Sequence, residues 1–139
     1  MAQSQTVTDT GIAELILLWR EEAATGMESI VCLDMATPCT AAVGSTFADP
    51  ADTAIHHTDS GLLLAAIDTV GGDTTNTAGD TITFDHVFTA TATKNVAGIH
   101  VCNNDDDVAF IECCFNAVIP VENTDTITID GQSTIDQAA

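Results

Sequence analysis

Basic residues are almost missing from this chain. Arg20 and Lys94 are the only two in 139 residues, against 15 Asp and 6 Glu, for a formal charge of −19. No basic patch can form to displace counterions from a phosphate backbone, which argues against direct nucleic-acid binding and against anionic membrane surfaces. Tyr is absent, and the aromatic complement is Trp19 with five Phe. The five cysteines (Cys32, Cys39, Cys102, Cys113, Cys114) are odd in number and contain no C-x-x-C pair. That pattern argues against a disulfide framework and against a zinc knuckle. Buried free thiols, packing as small apolar groups, are predicted instead. No apolar run reaches the ~18–20 residues of a membrane span; the longest, Ile12 to Trp19, is interrupted by Glu14 and followed by Arg20. Residues Met1 to Gln5 lack the basic start and apolar stretch of a secretion signal. Synthesis in a cytoplasm is therefore expected, with any later location reached through assembly.

What is present points to a folded, salt-adapted chain. Hydrophobic residues make up 45% of it, enough for one compact domain with a real core. The acids are interleaved with Ile, Val and Leu rather than gathered into a tail, the longest acidic run being Asp105-Asp106-Asp107. In dilute buffer such a surface repels itself and opposes compaction. At molar salt the Debye length falls to about 3 Å and the repulsion is largely screened. Few Lys with abundant Asp and Thr is the composition of a protein that works in very salty water.

Periodicity predicts a mainly β chain with one short N-terminal α-helix. Ile12, Leu15, Ile16 and Trp19 recur at helical spacing after Asp9 or Thr10 as the cap, and Gly26 ends the element. Strands are predicted at Ser29–Met35, Leu62–Val70, Asp80–Ala90, Val96–Cys102, Asp107–Phe115, Ala117–Val121 and Thr124–Asp130. The clearest is Asp80–Ala90. There Ile82, Phe84, His86 and Phe88 share one face while Thr81, Thr83, Asp85 and Thr89 share the other, as on a sheet with one wet face. Pro120 predicts an edge or bulge for its strand. Residues 36–60, rich in Ala, Thr, Asp and Pro, read as a long surface connection. Short strands at this spacing indicate an antiparallel β-sandwich, jelly-roll-like in class, spanning residues 10–139 behind an N-terminal arm of residues 1–9. Trp19, Phe110 and Phe115 are expected in its core, and Met1 to Asp9 as a docking arm.

No catalytic constellation is legible, and the chain is expected not to be an enzyme. His56-His57 stand near Asp52 and Asp59, but adjacent residues of an extended chain point to opposite sides, so a solvated loop is the favoured reading over a shared metal. His86 reads as a hydrogen-bonded core or interface histidine. His100 and Cys102 face one side of their strand yet lack two further zinc ligands. Cys113 and Cys114 project to opposite faces, which places at least one in the core. An acidic surface raises a thiol pKa, against cysteine catalysis. Asn103, Asp105, Asp106 and Asp107 gather oxygen ligands in a turn and form a candidate weak Ca²⁺ or Mg²⁺ site without the spacing of an EF-hand; a hydrated hairpin tip is the competing reading. Gly71-Gly72 and Gly79 are followed by no Gly-Lys-Ser/Thr of a phosphate loop. A metal-dependent enzyme using His56, His57, His100 and the cysteines is the competing reading from another class.

The order of the motifs resembles a family of tailed-virus structural proteins of the haloarchaeal type, found on virion exteriors and in tail-fibre regions. The resemblance runs from Gly11-Ile12-Ala13-Glu14-Leu15 at the helix start through the Ala48 to Ala54 stretch and the strand Gly79 to Thr91. It continues in Asn95-Val96-Ala97-Gly98-Ile99 and closes at Asp125 to Ile129. It departs at Ile111-Glu112-Cys113-Cys114-Phe115, where the family carries a Gly-Leu-Phe-Asn-Ala run. The resemblance implies a self-assembling β-sandwich on a virion assembled in a host cytoplasm, decorating the capsid as a cement or vertex-turret subunit. Its implied partners are copies of itself, as trimer or pentamer, and the major capsid protein or other virion proteins. A tail-fibre or receptor-binding module is the second structural reading.

Overall fold

The computed structural model describes residues 4–13, 29–57, 59–62, 65–66, 69–73, 81–103 and 108–134. It is mainly β, and every pairing described is antiparallel. Among the described residues nine strands run in chain order: β1 (Ser4–Val7), β2 (Ser29–Asp34), β3 (Ile55–His56), β4 (Ala65–Ala66), β5 (Thr69–Asp73), β6 (Thr81–Thr89), β7 (Lys94–Cys102), β8 (Ala109–Val121) and β9 (Thr126–Thr134). The larger sheet has the order β1-β8-β7-β2-β3, with β4 also paired to β2, and the smaller has the order β5-β6-β9. Among the described residues no helix is long and apolar enough to cross a membrane.

The smaller sheet follows its sequence pattern. Phe84 and Phe88 are buried on β6 while Val87 and Thr89 are exposed, and on β9 Ile127 and Ile129 are buried while Thr126, Thr128 and Asp130 are exposed. These inward residues meet Ile30 and Cys32 of β2, Val96, Ile99 and Val101 of β7, and Ile111 and Cys113 of β8 in one apolar cluster. Both sheets thus feed the same core. Phe110 lies within it and Phe115 packs against it, as expected; Trp19 lies outside the described residues.

Several expected boundaries move. The strands expected at 107–115 and 117–121 are one strand, β8, interrupted by an irregularity. Val96 pairs with Ile119 and Gly98 with Cys114, so Ala97 alone spans on β7 what Phe115 to Val118 span on β8. Such an insertion bends a strand without ending it. Gly98 permits the approach beside it, since a Cβ there would stand 2.3 Å from the Cys113 carbonyl oxygen. Pro120, opposite Asn95, sits beyond the irregularity. The strand expected at 62–70 is replaced by buried Leu62 followed by β4 and β5.

At the N-terminus, residues 4–7 of the expected arm pair with β8 as β1. Residues 9–13 are helical, and the rest of the predicted helix lies outside the described residues. The cap is Thr8, not Asp9 or Thr10. Its Oγ1 accepts from Gly11 N (3.0 Å) and its carbonyl from Ile12 N (3.0 Å), while the same hydroxyl donates to the Ala109 carbonyl. A threonine oxygen satisfying a first-turn N–H is the usual capping geometry.

Candidate functional site

Strands β2 and β7 of the larger sheet are buried on both faces. On β7 every residue from Val96 to Cys102 is buried. The outer face is covered by residues 35–57, most of which fall in the stretch 36–60 expected to be a surface connection. Cys39 and Ala54 pack with Leu33, Ala97 and Cys114 in a second apolar cluster, with Met35, Ala41 and Val118 at its margin. The segment also carries Ser45, Ala51 and His57 into buried positions. Backbone polarity explains how a sequence without β or helical period can cover a sheet: its N–H groups find acceptors on the sheet side chains.

The main acceptor is Glu112, fully buried on β8. Its Oε1 accepts from His100 Nε2 (2.7 Å) and Ala51 N (2.9 Å), and its Oε2 accepts from Ala42 N (2.9 Å) and Ser45 Oγ (2.8 Å). Burial pushes this carboxyl up, but the hydrogen bonds from His100, Ala51, Ala42 and Ser45 outweigh it and hold the pKa at about 2. Glu112 is therefore an acceptor-only carboxylate, and it joins three points of the covering segment and sheet strand β7 at one residue.

The chain continues outward. His100, fully buried and opposite Glu112 in register, presents Nδ1 to His56 Nε2 at 2.9 Å. With His100 Nε2–H turned to the carboxylate, a single proton between His100 Nδ1 and His56 Nε2, carried by either ring, satisfies the remaining bond. The half-buried His56 ring packs on Phe47 with centroids 4.2 Å apart. Burial, then the neighbouring His100, lowers its pKa to about 4 against the opposing pull of Glu112, so it is neutral near pH 7. His57 turns the other way, its Nε2 meeting the Asn95 carbonyl at 2.8 Å. The opposite orientation of the two histidines was expected; their place in a solvated loop is overturned, because His57 is buried and His56 is tied to the sheet.

A disulfide fastens the same cover. Cys39 of the segment is bonded to Cys114 of β8 across 75 residues. This corrects the expectation of thiols throughout. An odd count excludes full pairing, not one bridge, and the packing of residues 35–57 on β8 brings the two Cα atoms to 5.4 Å, inside bridging range. Cys32, Cys102 and Cys113 remain buried thiols, with Cys32 pushed up to about 12 by burial. Cys113 and Cys114 do point to opposite faces, one into each apolar cluster.

The chemistry this arrangement offers is positional. Ser45 Oγ donates to the Glu112 carboxylate, which it helps fix in place. Among the described residues no three His, Cys, Asp or Glu side chains converge as a metal-ligand set. His100 contacts His56 and Glu112, not a Cys102 partner, and the register is irregular between Val101 and Cys102. Of the candidate cation turn, Asn103 is buried and its Oδ1 accepts from Val108 N at 3.0 Å, closing the loop; Asp105, Asp106 and Asp107 lie outside the described residues. His86 is half-buried with its ring edge-on to Phe88 at 4.5 Å. No family model, curated protein or solved structure matches this chain.

Glu112 is the residue that sequence reasoning passed over. A signal existed: it is the one charged group in the apolar run Phe110 to Phe115. A lone acid inside a run that reads as a fully buried strand must have donors waiting for it.

Proposed function

We propose that this chain is a non-enzymatic structural subunit of a tailed virus adapted to molar salt, decorating or projecting from the capsid as a cement or vertex-turret protein. In this reading the two sheets face each other as a jelly-roll-like sandwich. The subunits assemble as a closed trimer or pentamer and dock on the major capsid protein, in keeping with the symmetry of most homo-oligomers. The observation that carries the reading is the distribution of charge. Twenty-one acids spread along a covered and fastened β structure suit a particle surface bathed in concentrated salt.

The Cys39–Cys114 bridge adds support, because disulfides persist outside reducing cytoplasms, as on a released particle. The His56–His100–Glu112 chain supports a structural role, since its donors and acceptors are consumed in holding residues 35–57 to the sheet. Light scattering coupled to size exclusion, at molar KCl and in dilute buffer, tests the proposal. It predicts a discrete oligomer at high salt, lost together with β-type circular dichroism in dilute buffer. A folded monomer indifferent to salt contradicts it.

A further inference from the structure

The core that the two sheets share opens at one side. A cleft of about 400 Å³ is lined there by Cys113, Phe115 and Ile119 of β8 and by Phe84, Ile127 and Ile129 of the smaller sheet. The irregularity in β8 lies at this cleft: the four residues set against Ala97 alone run from Phe115 to Val118, beside Ile119. Ile119 is left 40% exposed at the lip. On the facing wall Gly131 makes room for the Phe84 ring, which a Cβ would meet at 2.3 Å.

Backbone edges flank this cleft. Among the described residues, β9 pairs only with β6, and β8 beyond Cys114 pairs only with β7. A strand edge with unmade hydrogen bonds beside an apolar slot is the arrangement that takes up an extended peptide by strand addition. The rim decides which peptide. Asp130 of its lining is exposed, as are Glu122 and Asp125 in the turn that joins its β8 and β9 walls, and Lys94, opposite Val121, is engaged with Asp59 at 3.2 Å. At contact distance, where salt screens least, a cationic strand would meet complementary charge at these carboxylates.

We propose that this cleft binds an extended segment of a partner protein in which apolar residues alternate with Lys or Arg. The segment adds a strand to the open edge, its apolar side chains fill the slot beside Ile119, and its cations face the acidic rim. The inference does not depend on the particle reading. The test is fluorescence anisotropy of a fluorescein-labelled peptide alternating Lys with Ile and Val, titrated with the full chain at a KCl concentration that keeps it folded.

Saturable binding is expected, weakened about tenfold or more by Ile119→Asp, which places a charge in the slot. Ile119→Lys, which adds repulsion, is expected to weaken it at least as much. Both variants should keep the parent's unfolding midpoint, because Ile119 is substantially exposed. A control peptide alternating Lys with Ser should bind at least tenfold more weakly, for want of apolar contacts. Three results would overturn the proposal: equal binding of the Lys/Ser peptide, binding unchanged by both variants, or no binding of the apolar peptide. A dimer of the chain that Ile119→Asp abolishes would also overturn it, by giving the cleft to a second copy.

Discussion

The two sheets solve the same problem differently. In the smaller one, buried Phe84, Phe88, Ile127 and Ile129 alternate with exposed Val87, Thr89, Thr126 and Thr128, so one face meets the core and the other meets water. In the larger one, β2 and β7 are buried almost throughout, and the second face is closed by residues 35–57. A wet face needs nothing beyond polar side chains. A covered face needs a cover, and an irregular cover brings backbone N–H groups that must be satisfied inside. Glu112 and His100 sit on that face for this reason. The smaller sheet is held by area, the larger by area and by named polar bonds.

Breaking the named bonds should therefore cost far more than altering the wet face. Glu112→Ala leaves Ala42 N, Ala51 N, Ser45 and His100 without their acceptor. It is expected to lose about 3–5 kcal/mol in denaturant unfolding at molar KCl, the range for removing one partner from a buried charged network. Retention of full stability would reduce the network to a packing detail. Cys39→Ser, which opens a bridge across 75 residues, is expected to cost about 2–4 kcal/mol, and reductant should reproduce the loss in the parent protein.

The pH profile sharpens the comparison further. His56 falls from an ordinary 6.5 to about 4 in the fold, so the unfolded chain binds the extra proton in that window and stability must decline as pH falls through it. The decline is on the order of 2–3 kcal/mol. Glu112, held at about 2 against an ordinary 4.5, extends the decline at lower pH by the same sign rule, since its bonds need the carboxylate. His56→Gln should flatten the slope between about pH 4 and 6.5 and leave the part below it; a parallel profile would remove His56 from the account. The smallest effect belongs to the wet face. Thr128→Ala, on exposed β9, should stay within about 0.5 kcal/mol of the parent.

What could be read from the sequence follows the same division. The smaller sheet was legible because period-two alternation records a wet face directly, and Phe84, Phe88, Ile127 and Ile129 fell where the pattern put them. The opposed directions of Cys113 and Cys114, and of His56 and His57, were also legible from strand geometry. Residues 36–60 were not. Their role is set by contacts some 60 to 75 positions away, to Glu112 and Cys114, and their Ala, Thr and Asp composition is that of any loop. The disulfide was hidden by the odd cysteine count, and the cap moved to Thr8 because its hydroxyl is shared with the distant Ala109 carbonyl. Long-range pairing leaves little local trace in the chain.

Amide hydrogen exchange at Ala42 and Ala51, in molar KCl, tests the central claim that residues 35–57 form a fixed outer layer anchored on Glu112. Both amides donate to that buried carboxylate. The account predicts protection approaching that of the β7 amides, with exchange governed by opening of the whole fold. Exchange at the rate of an open loop, while β7 stays protected, would contradict it and return this segment to the surface.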